Sequence, residues 1–135
     1  MATRQNLIGL GLPVPLANRM CDASDGLIQI TAQGATQASA YQLSTGQNAV
    51  LITATSGGAG VNLPVIGTDQ GAMIGDNVII TNALSASVIV YASGANTTIT
   101  QLGASISAAT GVSVSSYKVG EYFAASSSTW VGQMS

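Results

Sequence analysis

The chain contains no histidine. That removes the commonest general base, the Ser-His and Cys-His pairs and most zinc sites together. Carboxylates remain, and a glycosidase needs two of them flanking the bond it breaks. Asp69 and Asp76 qualify by number only. Their loop and turn contexts, with Gly75 directly before Asp76, are those in which aspartate most often caps backbone N–H groups. Asp22 and Asp25 offer oxygens to calcium, but Asp22-Ala23-Ser24-Asp25-Gly26 lacks the further acidic ligands of a calcium loop. Cys21 has no partner for an internal disulfide and no His or Lys beside it in sequence, so it reads as a small packed residue. Ser56-Gly57-Gly58-Ala59-Gly60 is glycine-rich, yet it carries no lysine and opens no helix, unlike a phosphate loop. Trp130 with Tyr122 could form a sugar platform, although a tryptophan in a terminal strand is more often core because it buries a large area. We therefore expect no catalytic residue, no metal ligand and no cofactor. The chain does not read as an enzyme.

The composition points the same way. Only 6% of the 135 residues are charged, against roughly 25% in ordinary domains. The charges are Arg4, Arg19 and Lys118 against Asp22, Asp25, Asp69, Asp76 and Glu121, a balance of −2 that offers no basic face to phosphates. Nucleic acid is thus not an expected partner. A surface so poor in charge is weakly protected from self-association, which favours a protein whose surface is used up in contacts. The length suits one domain able to bury ~68% of its unfolded surface. No apolar run approaches the ~20 residues of a membrane helix, so no membrane partner is expected. Leu7 to Leu12 is too short for a secretory signal and is followed by Pro13 and Pro15.

The elements that must hold these residues read as strands. Leu27–Thr31, Ala38–Leu43, Ala49–Ile52, Gly60–Leu63, Val78–Thr81, Val88–Tyr91, Thr97–Thr100, Ala104–Ser107, Val112–Ser115, Glu121–Ala125 and Thr129–Val131 are short, rich in β-branched residues and bounded by turn residues. Proline at 64 stops its strand because it has no N–H to donate. Asn82–Ala86 is short enough to close Val78–Thr81 onto Val88–Tyr91 as a hairpin, with the rest of the chain packed around it. The expected fold is all-β: an antiparallel β-sandwich or jelly roll of about nine or ten short strands over residues 27–135. No fixed repeat of a solenoid is apparent.

Residues 1–26 differ. Leu7, Ile8, Leu10, Leu12, Val14 and Leu16 are apolar, while Pro13 and Pro15 forbid a helix and push their neighbours to extended conformations. We read this stretch as an extended N-terminal arm that docks on a partner or a neighbouring subunit, with Arg4, Leu7, Ile8, Leu10, Leu12, Pro13, Val14, Pro15 and Leu16 making the contacts. An arm wrapped over its own domain is the alternative.

The order of motifs carries a likeness. A Val61-Asn62-Leu63-Pro64 strand is followed by Gly75-Asp76, then Val78-Ile79-Ile80-Thr81-Asn82-Ala83, Val88-Ile89-Val90-Tyr91, Ser93-Gly94-Ala95, Thr97-Thr98-Ile99, an aromatic strand and Ser127-Ser128-Thr129-Trp130. Over residues 30–132 this resembles the small β-sandwich domains of tailed-bacteriophage head decoration (cement) proteins and head-fibre heads. The family pattern departs at Tyr91-Ala92, where Tyr-Pro is usual, and at Ile99-Thr100-Gln101, where Ile-Asn-Gly is usual. The resemblance implies a structural virion protein assembled in the host cytoplasm. It would be a homotrimer on the outer surface of the capsid, clamping neighbouring major capsid protein subunits against internal DNA pressure. The same sandwich occurs in tail-fibre proteins, so a receptor- or glycan-binding fibre head is the alternative; there, exposed aromatics such as Tyr117, Tyr122 or Trp130 would line a shallow groove.

Overall fold

The computed structural model describes residues 27–134. Eleven strands form two sheets: β1 (Ile28–Gln33), β2 (Tyr41–Gln42), β3 (Ala49–Ser56), β4 (Gly60–Asn62), β5 (Asn77–Asn82), β6 (Val88–Tyr91), β7 (Thr98–Gln101), β8 (Ala104–Ser107), β9 (Val112–Val114), β10 (Val119–Ser126) and β11 (Thr129–Met134). The larger, seven-stranded sheet has the order β1-β3-β5-β10-β11-β7-β8, and the smaller, four-stranded sheet the order β2-β4-β6-β9. Both inner faces meet in a single apolar core. The all-β sandwich expected from the sequence is therefore present.

Its strand directions are not those expected. The first six strands alternate between the two sheets, so each sheet receives every second strand running the same way. β1, β3 and β5 are parallel neighbours in one sheet, and β2, β4 and β6 in the other. Ile28, Val50 and Ile80 lie in register, as do Tyr41, Val61 and Val90. The spacing differs from one turn of this coil to the next, which is why no fixed period shows in the sequence. The second half returns to hairpin logic: β7 with β8 and β10 with β11 are antiparallel. Both sheets are thus mixed, and the coil replaces the Greek keys of a jelly roll.

The predicted hairpin of Val78–Thr81 with Val88–Tyr91 does not form. β5 sits in the middle of the large sheet and β6 inside the small one. The physical cause is Asn82, fully buried at the end of β5. Its Nδ2 donates to the carbonyls of Ala86 at 2.8 Å, Val114 at 3.0 Å and Ser115 at 3.1 Å, and its Oδ1 accepts the N–H of Leu84 at 3.0 Å. These bonds fold the chain over the edge of the core and tie it to the end of β9, so Val88 starts in the opposite sheet. Similarly, the predicted strand Ala38–Leu43 is reduced to β2, with a 3-10 turn at Gln37–Ser39 before it.

Side-chain period follows the pleat. Val78, Ile80 and Asn82 of β5, Gly120, Tyr122 and Ala124 of β10, and Trp130 and Gly132 of β11 point inward and are buried. Trp130 and Tyr122 are the largest fully buried side chains.

Candidate interaction surface

Among the described residues, Asp76 and the Ser56–Gly60 stretch have structural roles. Asp76 caps a turn, its Oδ2 accepting the Met73 N–H at 2.8 Å. Asp69 lies exposed in the loop between β4 and β5. Among the described residues no three His, Cys, Asp or Glu side chains group as a metal site. The Ser56–Gly60 stretch is the tight link from β3 to β4. Gly57 and Gly58 take φ of +68° and +141°, and a side chain on Gly58 would strike the Gly34 carbonyl. A Cβ on Gly60 would sit 2.8 Å from the Gln33 carbonyl oxygen. These glycines let successive turns of the coil stack, and the Gly60 N–H donates to the Gly34 carbonyl at 3.1 Å.

Further polar side chains brace the coil. Asn62 Nδ2 donates to the Gln37 carbonyl at 2.9 Å, and Gln37 Nε2 to that of Ala92 at 2.6 Å. Gln42 Nε2 reaches the Leu63 carbonyl at 3.0 Å, which also accepts from the Ser93 hydroxyl. In the sequence all four of these residues look like ordinary strand or turn positions.

A sugar platform on Trp130 and Tyr122 is excluded, because both rings lie wholly inside the sandwich. Trp130 Nε1 and the Tyr122 hydroxyl have no hydrogen-bond partner among the described residues, and burial raises the Tyr122 phenol well above its ordinary pKa. Of the aromatics considered for a groove, only Tyr117 is open to solvent, at 70%.

What the surface does present is apolar. The outer face of the large sheet carries Ile79, Phe123 and Val131, exposed by 39, 44 and 44%. Phe123 stands opposite Val131 on β11, and Ile79 stands opposite Glu121 on β10. Ala49 and Leu51 on β3 and Val119 on β10 extend the apolar stripe. A shallow groove of about 410 Å³ runs beside Phe123 and Val131, bordered by Asn77, Glu121, Gly132 and Gln133. Gln133 Nε2 donates to Glu121 Oε2 across it at 3.3 Å. The remaining outward positions of the face are Thr, Gln, Ser, Asn or Ala, so Glu121 is its one charge among the described residues.

Two smaller apolar groups lie at the ends of the sandwich. β1, β3, β5, β7 and β11 all run the same way, so Leu27, Met73 and Ile74 share one end, while Leu102 and Tyr117 share the other. Leu102, 97% exposed, and Tyr117 are the described non-glycine residues with left-handed backbones, at φ of +52° and +58°.

The predicted arm contacts Arg4, Leu7, Ile8, Leu10, Leu12, Pro13, Val14, Pro15 and Leu16 lie outside the described residues, as do Cys21, Asp22 and Asp25. Comparison with known proteins returns no matching family model, no matching curated protein and no matching solved structure.

Proposed function

We propose that the chain is a structural virion protein. In this reading it decorates the outside of a tailed-bacteriophage head and cements neighbouring major capsid protein subunits against the pressure of packaged DNA. One observation carries it. Among residues 27–134 the charged side chains are Asp69, Asp76, Lys118 and Glu121 alone, while large apolar side chains stand exposed on one sheet face and at both ends. A body of this kind works by contact. Residues 7–16 add an apolar segment for reaching a neighbour, and a homotrimer would present three such segments. Many modest contacts then give avidity without one strong site.

The test is immuno-electron microscopy of particles from the source, with antibody raised against the purified chain. Label over the outer head surface is the expected result, and particles without label would sink the proposal. Deleting residues 1–20 should abolish attachment to undecorated heads while the far-ultraviolet circular dichroism stays that of a β-sandwich. Attachment that survives the deletion would remove the arm from the mechanism.

The exposed Tyr117, held in a left-handed turn beside Lys118, favours one second reading, a receptor- or glycan-binding head on a fibre. Label confined to tail fibres, with hits in a glycan screen that disappear in Tyr117→Ala, would replace the first reading by this one.

A further inference from the structure

We infer that copies of this chain associate through the outer face of the seven-stranded sheet, with Phe123, Val131 and Ile79 at the centre of the contact. The inference goes beyond the proposed function: a face that meets an identical face closes on two copies, so it adds a pairwise contact to that reading and does not depend on its number of copies.

Three observations select this face and this occupant. First, the apolar residues are contiguous. Phe123 and Val131 are cross-strand partners, and Ile79 is the diagonal neighbour of Phe123 on the adjacent strand. The groove beside them gives a second copy's side chains somewhere to enter. An ordinary solvated sheet face alternates polar residues outward; here β5 places isoleucine and β10 phenylalanine on the outside. Second, the face has almost no charge. Interface cores are depleted in charged residues and enriched in aromatics. Glu121, the face's one charge among the described residues, already accepts from Gln133 Nε2 at 3.3 Å. An identical face is therefore a suitable partner where it meets this one offset enough to keep the two carboxylates apart, with Thr and Gln forming the rim. Third, the area is sufficient. Seven strands of this length cover roughly 34 Å by 20 Å, or about 700 Å², at ordinary strand spacing and rise. Stable interfaces use about 800 Å² of accessible surface per partner, and a pleated face exposes more than its flat outline.

The experiment is sedimentation of the full chain over a range of concentrations, for the wild type and for Phe123→Lys and Val131→Glu separately. The wild type is expected to run as a defined multiple of the 13.4 kDa chain. Each face variant is expected to weaken association at least a hundredfold while its thermal unfolding stays cooperative, since both side chains point away from the core. Leu102→Asn and Met73→Ser, at the two ends, are expected to leave the association unchanged. A monomeric wild type, or face variants with wild-type mass, would overturn the inference. Such a failure with label still on the heads leaves the cement reading standing. Face-dependent association with no label on particles does the opposite: the contact stands and the cement reading falls.

Discussion

The Tyr122 ring lies against Gly132, its cross-strand partner on β11, so closely that a Cβ at position 132 would sit 2.9 Å from both Cδ1 and Cε1. The hydroxyl end of the same ring covers Gly120, where a Cβ would be 2.8 Å from the oxygen. Glycine inside a strand leaves the pleat without a side chain to pack, and here one tyrosine covers two such positions. Because the ring is enclosed by the core, it cannot swing aside. Gly132→Ala is expected to destabilise the fold by about 1–3 kcal/mol through overpacking, read as a lower urea midpoint. An unchanged midpoint would mean that the ring has room to move.

The same ring gives the fold an alkaline limit. Burial raises the Tyr122 phenol pKa, so the folded state keeps its proton where the unfolded chain, titrating near ~10, has lost it. Above about pH 10 the unfolded state therefore binds fewer protons, and stability must fall as pH rises. Urea unfolding at about pH 8 and about pH 11, on either side of that value, should show this loss in the wild type. In Tyr122→Phe the loss should be smaller. At the lower pH that variant should be as stable or up to ~1 kcal/mol more stable, because the hydroxyl has no protein partner among the described residues.

Asn82 directs the chain from one sheet to the other. Asn82→Ala takes the shared donor from the carbonyls of Ala86, Val114 and Ser115, of which that of Ser115 keeps the Lys118 N–H at 3.1 Å, and the expected cost is about 1–3 kcal/mol. Asn82→Asp should cost more at neutral pH, since it turns a carboxylate toward the same oxygens, and should recover part of the loss under acid. Equal melting temperatures in mild acid and at neutral pH for the aspartate variant would contradict this account.

Leu102 is in the opposite situation. At the β7–β8 turn it adopts φ of +52°, followed by Gly103 at +79°, and its side chain is almost wholly in solvent. Consecutive positive φ values suit Asn-Gly far better than Leu-Gly, and the left-handed conformation costs a side chain of this type roughly 1–2 kcal/mol. Leu102→Asn should therefore raise the free energy of unfolding by about 1 kcal/mol, seen as a higher urea midpoint. A drop would mean that Leu102 contributes packing after all.

Much of this architecture was legible in the sequence. β8 spans the residues its pattern indicated, β4 ends before Pro64, and the apolar run Val78-Ile79-Ile80 lies in a strand, β5, with Val78 and Ile80 in the core. Strand partnership was not legible. Alternation tells which side chains share a face but not which strand lies alongside, and Asn82 looks in sequence like any turn asparagine until the carbonyls of Val114 and Ser115 arrive beside it. The contact face was legible only in part. Ile79 stands out of phase between two buried residues, whereas Phe123 beside Tyr122 reads simply as an aromatic strand.

The parallel course of β1 and β11 has a practical consequence for building with this protein. Leu27 enters the sheet at one end and Met134 leaves it at the other, roughly one six-residue strand or ~20 Å away. A peptide or enzyme fused behind Ser135 would start out from the end opposite the junction with residues 1–26. Cargo and the segment before Leu27 would thus be attached at opposite ends of the same sheet, making the chain a candidate scaffold for display.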